Sequence, residues 1–219
     1  MLDPSNRETE ARLQRVFEHI GHDATSAARA LIVRYLAELR RWNRKLDLTA
    51  AKSEDELCDL FVADAAKLAS LVGEGKTVCD VGTGAGAPGL VLALLRPDLS
   101  ITLVEPLAKR TSFMRSFWAE HAERHAPRVR IQREAVAAVL GRGERYALAM
   151  SRATFEPAVW LERAKDLLEE PGGEVAVLLA KEPVPPAPAG LELVAEYNYS
   201  WPLTTRERTI ALFRRGAAG

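Results

Sequence analysis

The residues best suited to chemistry fall in one run, Asp80-Val81-Gly82-Thr83-Gly84-Ala85-Gly86-Ala87-Pro88-Gly89. Glycines at this density permit positive φ and let a ligand lie against the backbone. Glu105 comes 23 residues after Gly82, at the end of the next apolar segment. A carboxylate in that place is in reach of a ribose diol. Gly84-x-Gly86-x-x-Gly89 also satisfies the dinucleotide fingerprint, a weak pattern by itself. Charge separates the two readings. A dinucleotide places its pyrophosphate at a helix N-terminus and gains from positive potential. Here Asp80 stands two residues before the first glycine. That acid is awkward beside pyrophosphate and suits the cationic, phosphate-free S-adenosylmethionine. The order Asp-x-Gly-x-Gly-x-Gly followed by a strand-end Glu points to a methyltransferase. A dinucleotide oxidoreductase and a purely structural glycine turn are the alternatives.

Two further features narrow the chemistry. The fourth strand ends in Ser151-Arg152-Ala153, with no Asn-Pro-Pro-Tyr-like motif after it, which argues against methylation of an exocyclic amine. Cys79 lies inside the first strand and Cys58 on a helix, so covalent catalysis at a pyrimidine carbon has no nucleophile. Direct transfer to an atom that is already nucleophilic remains. His19, His22, His121 and His125 are scattered without a shared ligand spacing, and no metal is expected.

The elements that must position these residues alternate. A helix carries Leu13, Val16, Phe17 and Ile20. A second carries Ala28, Ile32, Tyr35, Leu39, Trp42 and Leu46 at spacings of 4, 3, 4, 3 and 4. A third covers 54–71. Strands are expected at 77–81, 101–105, 129–132, 147–151 and 174–180, with helices at 88–95, 109–124, 135–140 and 157–168 between them. This alternation implies right-handed βαβ units and a parallel sheet. Leu191, Leu193, Ala195, Tyr197 and Tyr199 alternate with polar residues, and 209–213 forms a last strand, so an antiparallel hairpin closes the sheet. The proline run at 183–188 is a stiff exposed connection. The expected fold is α/β: a mostly parallel, doubly wound class I methyltransferase sheet with a C-terminal antiparallel hairpin. Residues 1–72 form a helical N-terminal cap and 73–219 a Rossmann-like domain.

Composition sets the class. The chain has 219 residues, 47% hydrophobic and 27% charged, enough for a core without staples. Thirty basic residues balance thirty acidic ones, against non-specific coating of nucleic acid. No apolar run approaches the ~20 residues that span a bilayer. Met1-Leu2-Asp3-Pro4-Ser5-Asn6-Arg7-Glu8 lacks the marks of a signal peptide. Two cysteines without a short metal or redox spacing fit a reduced cytoplasm, and a monomer is expected.

Trp42-Asn43 with Leu48-Thr49, the block from Asp80 to Gly89, Lys109-Arg110, Ser151-Arg152-Ala153, Ala180-Lys181 and Glu207-Arg208 occur together in this order. In this the chain resembles the glucose-inhibited division protein B family, the small-subunit ribosomal RNA methyltransferases G, over nearly its whole length. The resemblance implies transfer of a methyl to guanine N7 in 16S ribosomal RNA of the small subunit. It implies that Gly82 and Ala87 line S-adenosylmethionine, that Ala135 and Val136 flank its adenine, and that Arg152 lies near the transfer site. Asp80, Thr83, Gly84, Gly86, Glu105 and Arg152 complete the expected cofactor set. Guanine N7 already carries a lone pair, so alignment replaces a general base and Arg152 orients the substrate. Arg41, Lys45, Lys109, Arg110, Lys181, Arg206 and Arg208 are the candidate RNA contacts. For the basic helix face of Arg34, Arg41 and Lys45, with Arg40 and Arg44 beside it, a simply solvated surface is the alternative. Because Lys109 and Arg110 oppose the dipole at a helix start, an external anion is expected there. The chain departs from the family in four places. Leu60-Phe61-Val62-Ala63-Asp64-Ala65 stands where the family has an Arg-His pair before Asp-Ser, so that only Asp64 survives; Ala87 replaces a bulky apolar residue, Val136 an acid, and Glu182 a glycine. These departures leave a methyltransferase of another RNA or a small molecule, or a non-catalytic assembly factor, as alternatives.

Overall fold

The structure, a computed structural model, describes residues 4–126 and 128–216. Residues 1–3 and 217–219, the ends of the expected cap and domain, lie outside the described residues, as does the start of the N-terminal segment read for a signal peptide. Helix α1 (Pro4–Ile20) begins well before the apolar repeat that announces it. Its early turns are polar, and one of them buries Thr9, whose hydroxyl accepts from Arg40 at 3.2 Å. Helix α2 (Ser26–Leu46) is capped by the Thr25 hydroxyl, which accepts the Ala28 N–H at 3.2 Å. It buries Ile32, Tyr35, Leu36 and Leu39. Trp42 sits half-buried at the rim of this stripe, edge-on to Phe113 with ring centroids 5.6 Å apart.

The helix expected over 54–71 is α3 (Glu54–Cys58) and α4 (Asp64–Ala69) joined by a π-helical turn, Asp59–Ala63. Such wide turns recur at functional sites. Asp59 and Asp64 at its two ends are both buried.

Seven strands follow: β1 (Thr77–Val81), β2 (Ser100–Val104), β3 (Val129–Gln132), β4 (Leu148–Arg152), β5 (Glu174–Leu179), β6 (Leu191–Ser200) and β7 (Glu207–Arg215). Their order is β3-β2-β1-β4-β5-β7-β6. The first five run parallel, while β7 is antiparallel to both β5 and β6. The hairpin is therefore folded back, with the last strand inside and β6 on the edge. Between the strands lie α5 (Gly89–Leu95), α6 (Ala108–Phe117), α7 (Val136–Gly141) and α8 (Pro157–Ala164). Three expected helix starts move by one residue: Pro88 and Ala135 serve as N-caps rather than first helical residues, and α6 begins at Ala108 rather than Lys109.

Both sheet faces are covered, which is why the parallel strands read as apolar runs. The larger core is continuous from Leu13 through Tyr35, Phe61, Leu90, Phe113 and Trp118 to Leu212. The N-terminal helices thus share one core with the sheet. The smaller core, with Val139, Trp160 and Leu161, covers the other face. Strand order reverses between β1 and β4, and at such a switch point the carboxyl ends of the strands open a crevice for ligands. Among the described residues no helix is long and apolar enough to cross a membrane.

Candidate active site

The glycine turn joins β1 to α5 at this switch point. Gly82, Gly84 and Gly86 adopt φ of +73°, +63° and +116°, values that side-chain-bearing residues rarely take. Gly89 answers a different demand: a Cβ there would stand 2.5 Å from Asp80 Oδ2 and from Leu103. That closeness lets the Gly89 N–H donate to Asp80 Oδ2 at 2.9 Å. Burial pushes the Asp80 carboxyl up to about 6, against the lowering influence of the neighbouring Thr83 hydroxyl, the Gly89 N–H and Arg152. Asp80 Oδ1 and Thr83 Oγ1 are both buried, and although the two groups influence each other neither atom has a hydrogen bond of good geometry.

From β2, Glu105 reaches the same turn. Its Oε2 accepts the Gly84 N–H at 3.0 Å and its Oε1 the Leu107 N–H at 2.9 Å. Arg110 lies 3.5 Å from Oε2. Helix α2 contributes from outside: the buried Tyr35 hydroxyl donates to the Ala85 carbonyl at 2.7 Å. The turn offers two orphaned polar atoms, and Gly84, beside which a Cβ would meet nothing within 4 Å. These features fit a ligand with donor groups placed against the loop. Ala87 is buried within the loop. Ala135 is exposed and Val136 half-buried at the start of α7, next in chain order after β3.

The other half of the crevice lies over β4 and β5. Arg152, the last residue of β4, donates to the Leu60 carbonyl and to Asp64 Oδ2, the latter at 3.0 Å. Asp64 is a hub. Its Oδ1 accepts from the Tyr199 hydroxyl at 2.7 Å and from the Trp201 indole N–H at 2.6 Å. Arg208 stacks on the Trp201 ring, 3.6 Å from its centroid. Ser151 donates to the Val81 carbonyl at 2.8 Å and ties β4 to the start of the glycine turn. Ala153 is held at φ +52°, an uncommon conformation for a residue with a side chain. Arg152, Ala153, Phe155, Ala180, Glu182, Trp201 and Arg208 line a cavity of about 170 Å³.

The remaining predicted residues spread over the surface. Arg41 and Lys45 are exposed on α2. Lys109 lies 3.9 Å from Asp47 and Arg110 beside Glu105. Each therefore already has an anion of the chain within 4 Å. Lys181 is exposed, and Arg206 pairs with Glu56 at 2.8 Å. His121, given no role from sequence, lies 2.7 Å from Glu38 and 3.5 Å from Glu120. Both cysteines are buried and their thiols are pushed up to about 12 by desolvation, so they stay protonated at neutral pH.

Sequence reasoning missed Tyr35, Asp59, Tyr199 and Trp201. Asp59 accepts the backbone N–H groups of Leu203 and Thr204 and the Thr204 hydroxyl, fastening the loop between β6 and β7. Tyr35 had one available signal, a polar tip inside an otherwise apolar helical stripe. Tyr199 and Trp201 had none, because their partner is 135 and 137 residues away. The Trp42-Asn43 and Leu48-Thr49 pairs have a structural explanation: Asn43 Oδ1 accepts the N–H groups of Leu48 and Thr49 at 2.6 and 2.9 Å.

Comparison with known proteins places this geometry. Residues 28–183 match the GidB family, rRNA small subunit methyltransferase G. A ribosomal RNA small subunit methyltransferase G of Anaeromyxobacter dehalogenans strain 2CP-C is 34% identical over 93% of this chain and 96% of its own length. That of Chromohalobacter salexigens is 29% identical over 94% of this chain and 97% of its own. Among solved structures, TrmN of Thermus thermophilus superposes with a TM-score of 0.54 at 17% identity, over 79% of this chain and 53% of its own. The yhhF protein of Escherichia coli gives 0.52 at 17% identity, over 69% and 81%. These two similarities show the fold, a class I methyltransferase sheet. The chain belongs to the GidB family of rRNA small subunit methyltransferases G.

Proposed function

We propose that this chain transfers a methyl group from S-adenosylmethionine to N7 of one guanine in 16S ribosomal RNA of the small subunit. The observation that carries the reading is the turn with buried, unpartnered Asp80 and Thr83 oxygens, facing Arg152 across a switch point in a chain of this family. Its relatives are named for ribosomal RNA of the small subunit. When bound, the cofactor supplies an electrophilic methyl on a sulfonium centre. Asp80, Gly82, Thr83, Gly84, Gly86, Ala87 and Glu105 hold it, with Ala135 and Val136 along the adenine. Anionic Asp80 and Glu105 favour a cationic ligand over a pyrophosphate.

N7 has its lone pair free at neutral pH, so no residue needs to remove a proton. The task of the chain is alignment, an effect that can supply roughly 7–11 kcal/mol. Arg152, fixed by Asp64, presents the rest of its guanidinium to guanine O6 or a phosphate. Arg41, Lys45, Lys109, Arg110, Lys181, Arg206 and Arg208 contact the RNA backbone. Residues 1–72 act as the cap and 73–219 as the methyltransferase domain of a cytoplasmic monomer with no membrane association.

The test is methyl transfer from isotopically labelled S-adenosylmethionine to 30S subunits from a strain lacking this gene, with mass mapping of the product. Label on N7 of a single 16S guanine is the expected result. Label on another RNA atom would overturn the target, and no transfer by a protein that binds cofactor would overturn the activity.

A further inference from the structure

On the reading above, a methyl group passes from one half of the crevice to the other, so the chemistry lies where the glycine turn meets the end of β4. Ser151 crosses that seam from a buried position, through its bond to the Val81 carbonyl. Thr154 crosses it from an exposed one, two residues past the end of β4. Its Oγ1 lies 3.3 Å from the Gly82 carbonyl oxygen and 3.3 Å from the Arg152 carbonyl oxygen. One hydroxyl thus touches the backbone of a residue assigned to the cofactor and of the residue assigned to substrate orientation. The approach to Gly82 is so close that a Cβ there would stand 2.1 Å from Thr154 Oγ1. Glycine alone leaves room for it. Ala153, held at φ +52°, directly precedes Thr154 in the bend that follows β4.

A hydroxyl has one proton and two lone pairs. Both hydrogen-bond partners of Thr154 Oγ1 are carbonyl oxygens, which can take only the proton. The lone pairs point away from them, on an exposed side chain beside the glycine turn. At 3.3 Å each bond is longer than the ~2.7–2.8 Å usual between oxygens, so the hydroxyl is held weakly and is free to turn. A group that suits those lone pairs carries positively polarised hydrogen. The methyl of a sulfonium is such a group, because the cation draws electron density from its C–H bonds. We propose that Thr154 is a further catalytic residue, its Oγ1 accepting from the hydrogens of the methyl that S-adenosylmethionine donates. The assignment rests on the cofactor reading above and adds a residue to it.

The contact bears on rate as well as on binding. The lone pair of guanine N7 forms the new bond to the methyl carbon while the electron pair of the carbon–sulfur bond stays with sulfur. The positive charge passes to the base, and no proton leaves. Midway, the carbon is fully bonded to neither partner and its hydrogens are at their most positive. Thr154 Oγ1 is then held more tightly in the transition state than in the ground state, which is the condition for acceleration. The same contact keeps the methyl in line between its two partners. A side chain without a lone pair does neither.

The experiment titrates three ligands calorimetrically into wild type, Thr154→Val, Thr154→Ala and Thr154→Ser. S-adenosylmethionine carries the methyl, and S-adenosylhomocysteine lacks it. Sinefungin carries an ammonium group in its place, a full hydrogen-bond donor. Thr154→Val is expected to weaken S-adenosylmethionine about 3- to 5-fold, the size of one C–H···O contact. Sinefungin should weaken roughly 10-fold or more, the size of a hydrogen bond to a charged group. S-adenosylhomocysteine should stay within about 2-fold of wild type, as for an exposed substitution that loses no ligand contact. Thr154→Ala should follow Thr154→Val, which removes the bulk of valine as a cause, and Thr154→Ser should restore all three affinities. In transfer to 30S subunits kcat should fall while the KM for the particles is unchanged. Equal weakening of all three ligands would make the hydroxyl a tie between turn and strand and overturn the assignment, as would no weakening of any. A Thr154→Ser variant that behaved like Thr154→Val would overturn it too. A wild-type protein that bound none of the three would sink the cofactor reading itself, and this assignment with it.

Discussion

The two halves of the crevice are built by opposite means. The β1–β2 half is made of neighbours in sequence: Asp80, the glycine turn and Glu105, joined by backbone N–H groups donating to carboxylates. The β4–β5 half is made of distant side chains. Asp64 comes from a helix, Arg152 from a strand end, and Tyr199 and Trp201 from the edge hairpin, all meeting at one carboxylate. A ligand with constant chemistry can be held by a rigid loop that one short motif encodes. A site that must grip one base in a large RNA draws on side chains from several elements, which can change independently. On the proposed assignment of cofactor to the first half and RNA to the second, the first should tolerate drift less well than the second, apart from the hub that anchors it.

The hub supplies the severest test of that comparison. Asp64→Ala removes the partner of Arg152 and two aromatic donors from a site where Asp64 is 1% exposed. Breaking a buried pair from one side typically costs about 3–5 kcal/mol. Urea unfolding should show a loss of that order. A loss under about 1 kcal/mol would mean that the hub is ornamental and that the β4–β5 half stands on its packing alone.

On the motif side, Gly89→Ala should cost about 1–3 kcal/mol, because the new Cβ must displace Asp80 and Leu103 from 2.5 Å. Cofactor affinity should fall with it, since the displaced group is Asp80. Gly143→Ala, outside the site, is the control, with positive φ and nothing within 4 Å to strike. Its penalty is limited to the backbone, about 1–2 kcal/mol. Calorimetric titration of both variants checks the contrast. Equal loss of affinity in the two would show that general destabilisation, and not the position of Asp80, controls binding.

Protonation sharpens the same half. Burial raises Asp80 from 3.8 to about 6 in the folded protein. The folded chain therefore holds that proton more tightly than the unfolded chain. The contribution of this group to stability is fully present below pH 3.8 and is lost as pH rises through 6. Binding of a cationic cofactor should run the other way, because it needs the ionised carboxylate. Affinity should weaken by about tenfold between pH 7 and pH 5, as the ionised fraction falls. In Asp80→Asn that pH dependence should vanish. A tenfold change persisting in the variant would assign the titration to another group.

What could be read in the residues follows the same division. The strand and helix alternation, the turn and the strand-end acids were legible because each depends on local periodicity or on glycines at fixed spacing. The π turn at Asp59–Ala63 was not, since its apolar pattern is that of an ordinary helix. Neither was the placement of β7 between β5 and β6, because alternation along a hairpin does not say which strand lies inside. Lys109 and Arg110 read as open cations only because Asp47 is 62 residues away from Lys109 in the chain and beside it in space. Asp64 stood out by resemblance alone, and its three partners were invisible.

Tyr35 is where the two halves and the helical segment exchange influence, and the expected effect is the smallest. Tyr35→Phe removes one hydroxyl from a fully packed aromatic cluster with Phe61, Phe113 and Phe117 and leaves the rings in place. The Ala85 carbonyl loses its donor, at a cost of about 1 kcal/mol. Were the hydroxyl only a filler of the core, cofactor affinity would be untouched and the loss would appear in unfolding alone. Because the bond ends on the backbone of the glycine turn, a few-fold weaker cofactor affinity should accompany the lower stability, with the substrate preference of the enzyme unchanged. If stability falls and affinity does not, the turn keeps its shape without help from α2, and the motif is self-sufficient. If both fall together, the N-terminal helices are part of the cofactor site as well as the wall beside it.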